Sequence, residues 1–111
     1  KLFDRYYISP ARSPLSLFTR CAGPEENMKY RIDKDWWAIR IAELEKAVKA
    51  GRDMPPFIVH YVDGAFELND GNHRHKVCEN LGIDTVWAIV WITEEDEFTE
   101  FMKKYGGYTQ D

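Results

Sequence analysis

The run Asp70-Gly71-Asn72-His73-Arg74-His75-Lys76 gathers a carboxylate, two imidazoles and two cations where strand-like periodicity gives way to helical periodicity. Val77, Cys78 and Leu81 fall at helical spacing, and Gly82 stands where a helix takes a left-handed residue after its last turn. The box therefore occupies a helix N-terminus. The first N–H groups there have no intrahelical partner, and the macrodipole places about half a positive charge on them. Asp and Glu suit that end, whereas His73, Arg74, His75 and Lys76 do not, each cation costing roughly 0.3–1 kcal/mol at an exposed site. A bound phosphate reverses the sign of that cost, and Gly71 lets the phosphate approach the backbone closely.

Residues four apart share a helix face, so His73 lies above Val77 and Leu81, and Arg74 above Cys78. Both lean toward the body of the domain. His75 is expected to point away, toward solvent or a partner. The candidate nucleotide-binding set is Gly71, Asn72, His73, Arg74 and His75, with the backbone N–H groups of Gly71, Asn72 and His73 beneath the phosphate. The candidate reacting groups are Asp70, His73 and Arg74. Arg74 would supply charge to a transferring phosphoryl group, His73 would fix or protonate an oxygen, and Asp70 would orient Mg²⁺ or accept a proton. The same residues also read as an ordinary solvated first turn with Asp70 as its N-cap and no ligand at all.

These residues must be held by neighbouring elements. Phe57 to Val62 and Ala65 to Asn69 read as two strands joined by Asp63-Gly64, a pair suited to the positive φ angles of a type I′ turn. Thr85 to Ile92 is apolar on both faces and reads as an interior strand; strand, helix and strand, if parallel, form a right-handed crossover. Upstream, Asp33 or Asp35 caps a helix carrying the stripe Trp37, Ile41, Leu44 and Val48, which Gly51 closes before Pro55-Pro56 extends the chain. Trp36, on another face, is expected in a second layer of core, with a partner contact as the alternative. Downstream, Thr93 and Asp96 resemble a capping pair for a helix with Phe98, Phe101, Met102 and Tyr105 facing inward.

Residues 1–32 are expected as irregular segments or an edge strand packed over the core, residues 33–107 as the domain proper, and 108–111 as a tail. Leu2-Phe3, Tyr6 to Ile8 and Leu15 to Phe18 are the apolar patches of that first segment. Arg12, Arg20 and Arg31 could reach a triphosphate, although their spacing selects none of them. The fold class expected is α+β: a small mixed β-sheet with packed helices.

Asp-Gly-Asn-His-Arg, preceded by a Pro-Pro-led strand and a hairpin and followed by Leu-Gly and another strand, resembles the ParB/sulfiredoxin-like superfamily, whose members carry a D-G-x-H-R or related G-x-x-R box. The resemblance spans about Asp33 to Ile92. It implies phosphate binding at Gly71, Asn72, His73 and Arg74, with ATP or CTP as the nucleotide and Mg²⁺ arriving with it. Asp70 and Glu67 are then the nearest carboxylates for magnesium. Sulfiredoxin activity is not implied, because Asn72 stands in place of the nucleophilic Cys of that branch. The G-E-R-R box of partition proteins is also absent.

The net charge of −4 over 111 residues does not favour nucleic acid as a partner, since nonspecific binders present a basic face. His73 and His75 diverge by about 200° on a helix, so with His60 in a strand no shared metal ion is expected. Cys21 and Cys78 are expected as reduced thiols. With no apolar run of membrane-spanning length and no visible signal peptide, the expected location is cytoplasmic. The leading function is nucleotide binding through the box, serving phosphoryl transfer or nucleotide hydrolysis. A ParB-like nuclease or DNA-binding module and a noncatalytic protein-interaction domain are the alternatives from other classes.

Overall fold

A computed structural model describes residues 5–106; Leu2-Phe3 and the expected tail 108–111 lie outside them. The hairpin forms as its turn residues demand, with Asp63 at φ 52° and Gly64 at φ 76° joining β5 (Phe57–Val62) to β6 (Ala65–Asp70). β7 (Thr85–Ile92) lies on the other side of β5 and runs parallel to it. The crossover therefore links β5 to β7, and β6, the strand that feeds the helix, is antiparallel to β5 and not a neighbour of β7. Residues before Ile32 contribute more than a cover. β1 (Tyr6–Pro14) is a nine-residue antiparallel edge strand on β7, and β2 (Phe18–Thr19) runs parallel to β6 at the opposite edge. The sheet order is β1-β7-β5-β6-β2, with a separate two-stranded ribbon of β3 (Ala22–Gly23) and β4 (Tyr30–Arg31).

The helices are α1 (Lys34–Lys49), α2 (Asn72–Leu81) and α3 (Glu95–Tyr105). α2 is buried on two sides. Cys78 joins the main cluster with Phe57, Val59, Leu68, Val90 and Phe101, while Val77 packs with Trp37 and Ile41 of α1. Strand burial alternates strictly along β5, so one face of the sheet meets the helices. The box helix is thus clamped between the sheet and α1, and its N-terminus cannot drift relative to either.

Asp33 caps α1, its Oδ2 accepting from the Trp36 N–H at 3.0 Å. Trp36 itself is 55% exposed, contrary to the expectation of core, because the inward stripe begins at Trp37. Thr93 does not cap α3; the N-cap is Glu94 without a side-chain hydrogen bond, and Glu95, Asp96 and Glu97 suit the positive helix end instead. Among the described residues no helix is long and apolar enough to cross a membrane.

Candidate phosphate site at the start of α2

Gly71, and not Asp70, is the N-cap of α2. It adopts φ 109°, ψ 15° and gives no side-chain cap to the first turn. That left-handed conformation is open to glycine and strained for other residues. The first intrahelical bond runs from the His75 N–H to the Gly71 carbonyl at 2.8 Å. Gly71, Asn72, His73 and Arg74, whose N–H groups precede that bond, line an opening of about 300 Å³ between α2, α1 and the Arg52–Pro55 link. Asp70 is mostly exposed at its rim, with Oδ2 3.4 Å from the Arg74 guanidinium.

The two residues expected to lean inward do so. His73 packs against Trp37 of α1, ring centroids 4.5 Å apart and planes tilted by 30°, and its Nε2 is buried with no hydrogen-bond partner. Arg74 lies over the Phe57 ring at 4.7 Å and donates from Nη1 to the Pro55 carbonyl. Its side chain is 14% exposed, so the guanidinium is held at the cavity wall and does not wander in solvent. An aromatic face and a backbone carbonyl thus fix the guanidinium fork.

Asn72 serves the fold through its side chain. Its Oδ1 accepts from the Cys21 and Ala22 N–H groups at 2.8 and 3.1 Å, and Nδ2 donates to the Leu68 carbonyl at 3.3 Å. The amide therefore ties the 20–23 strap to α2, leaving only the Asn72 backbone for a ligand. His75 does not point to solvent as expected: it is 7% exposed, because the Leu15–Phe18 segment covers that side of α2. It lines a separate cavity with Ser16 and Glu79, with Nδ1 3.6 Å from the Glu79 carboxylate, and it does not line the opening at the start of α2.

Other cations complete the wall. Arg40 and Arg52 line the opening beside Arg74, against Asp53 and Asp70, so arginines outnumber carboxylates there even though the whole chain is acidic. Sequence reasoning missed both. Arg40 had a readable signal, since it precedes Leu44 and Val48 of the inward stripe at spacings of four. Arg12 bonds Thr85, and Arg20 is engaged by Glu25 and lies over Trp37, so neither lines the opening. Arg31 is also absent from its wall. Glu67 stands opposite His60 on the sheet face away from the helices and does not line the opening. No Ser, Thr or Cys stands among the described residues of the wall.

Burial holds His60, His73 and His75 below the ordinary imidazole range; at His73 the Arg40 and Arg20 charges push the same way. Unfolded histidines titrate near pH 6.5. As the pH falls, the unfolded chain therefore takes up protons first, and stability that is full above about pH 6.5 is lost below it. The melting temperature is expected to drop between pH 7.5 and 5.5, read by circular dichroism; a flat or rising profile contradicts these assignments.

No protein-family model and no curated protein matches the sequence. Solved structures match the fold. Sulfiredoxin from Arabidopsis thaliana superposes with a TM-score of 0.56 at 19% identity, covering 84% of this chain and 96% of that one. The C-terminally truncated chromosome-partitioning protein ParB from Caulobacter crescentus, complexed with CTP-gamma-S, gives 0.54 at 14% identity over 88% of this chain and 53% of its own. A Pnob8-like ParB-N domain gives 0.52 at 13% identity, covering 96% of this chain and 39% of that chain.

Proposed function

We propose that this chain, which has the ParB/sulfiredoxin-like fold, binds the phosphates of a nucleotide at the start of α2. The observation that carries the reading is the uncapped first turn at left-handed Gly71, opening on a cavity walled by Arg40, Arg52, Arg74 and a His73 whose Nε2 is buried and unpartnered. Helix N–H groups, the macrodipole and arginine forks each favour the same ligand, a dense oxyanion. The CTP analogue bound to the Caulobacter ParB supports a nucleoside triphosphate as that ligand.

In this reading the N–H groups of Asn72, His73 and Arg74 hold phosphate oxygens, and Arg40, Arg52 and Arg74 neutralise their charge. His73 reaches the ligand as a neutral imidazole at pH 7, its pKa being lowered by burial and by Arg40. The apolar wall of Leu44, Val48 and Met54 suits the nucleoside rather than the phosphates. Asp53 and Asp70 are the carboxylates that would meet a magnesium ion carried in on the phosphates. A phosphoryl acceptor would come from a second substrate or from water, since the wall offers no hydroxyl or thiol nucleophile among its described residues. Sulfiredoxin chemistry stays outside this reading because Asn72 occupies the nucleophile position and its amide is engaged.

Calorimetric titration with CTP, ATP and inorganic phosphate, with and without Mg²⁺, tests the proposal. Saturable binding of a triphosphate, tighter than that of phosphate alone, is the expected result. Heats no larger than dilution for every ligand overturn it.

A further inference from the structure

The sheet face turned away from the helices carries a band of aromatic and aliphatic side chains edged by charged ones. Tyr7, Trp91, His60 and Glu67 form one row across four strands, and Ile89 pairs with Ile58 in the next. Trp87 follows, beside Arg12 on β1. None of these residues belongs to either hydrophobic cluster, and Tyr7 and Trp87 are 47% and 45% exposed. The surface is also ordered before anything docks on it. His60 stacks on Trp91 with centroids 3.7 Å apart and planes 3° from parallel, Arg5 lies 4.1 Å from the Trp91 ring, and the Trp91 Nε1–H donates to Asn69. Apolar faces of this kind, rich in Trp, Tyr and Arg, mark docking surfaces.

Its charges say what fits. Arg5 and Arg12 lie along the β1 side, and Glu67 and Asn69 lie on β6 at the other side, with Ile58 and Ile89 between them. A two-fold axis running along the strands between β7 and β5 carries β1 of one copy over β6 of the other. We propose that this face joins two copies of the chain into a symmetric β-sandwich, Arg5 of each copy meeting Glu67 of the second around a dry centre of Ile58, Ile89 and the tryptophans. The nucleotide cavity lies on the helix side of the sheet, so this pairing leaves it open. Stacked sheets separated by about 10 Å with strands within about 30° of each other accommodate such side chains. A polyanion fits less well, because the row ends on Glu67 and the centre is aliphatic.

Sedimentation velocity across the micromolar range tests this. A concentration-dependent monomer–dimer equilibrium is expected. Ile89→Glu buries an unpaired charge at the centre and is expected to weaken association at least about a hundredfold, with an unchanged far-ultraviolet spectrum showing that the fold persists. Arg5→Glu and Glu67→Arg should each weaken the dimer, and combining them should restore it. A monomer at every concentration, a dimer that Ile89→Glu leaves intact, or a double exchange that fails to restore association overturns the proposal.

Discussion

Arg74→Ala is expected to lower the affinity for a nucleoside triphosphate at least about a hundredfold, the scale of a charge-assisted, geometrically fixed contact of about 2–3 kcal/mol. The guanidinium is the one cation of the box locked against the cavity wall, by the Phe57 ring and the Pro55 carbonyl. Its loss should cost the fold itself only about 1 kcal/mol, because a cation–π contact and one hydrogen bond to a carbonyl are each modest. Arg74→Lys separates the contributions. It keeps the charge and loses the planar fork, so an intermediate affinity is expected by calorimetry. Equal binding by all three proteins would remove Arg74 from the site.

Gly71→Ala is expected to destabilise the chain by about 3 kcal/mol, combining the strain of a left-handed residue with overpacking. A Cβ at this position would sit 2.7 Å from Phe57 Cδ2 and 3.2 Å from Arg74 Nη2, so neither ring nor guanidinium could stay where it is. Urea unfolding followed by tryptophan fluorescence reads the loss. A change below about 1 kcal/mol, the ordinary scale of an unstrained surface substitution, would mean that the left-handed N-cap is not held in solution. The same substitution at Gly64, with no atom within 4 Å of the added Cβ, would carry the backbone strain without the clash and should cost less.

The turn residues made much of this fold readable. Asp63-Gly64, Gly71 and Gly82 each adopt the positive φ that their places in the pattern require, and they bracket the hairpin and the box helix correctly. The inward lean of His73 and Arg74 was also legible, because residues four apart share a helix face and Val77 and Cys78 are plainly apolar. What could not be read were contacts with distant segments. His75 looked exposed by helix geometry, yet Leu15 and Phe18, more than fifty residues earlier, cover it. The sequence around Asn72 carries no sign that the strap at Cys21 and Ala22 engages its side-chain amide. Arg52 sits in a link with no periodicity to reveal its direction. Trp36 lies on another face of α1 than the stripe that begins at Trp37, and its exposure departs from the second layer of core expected for it.

Amide chemical shifts of the ¹⁵N-labelled chain titrated with CTP and with ATP test the central claim most directly. The account predicts saturable movement of the Asn72, His73 and Arg74 amides, strongest at the start of α2 and accompanied by the Arg40 and Arg52 side-chain resonances. Saturable shifts confined to other parts of the chain, or none at any nucleotide concentration, would contradict it.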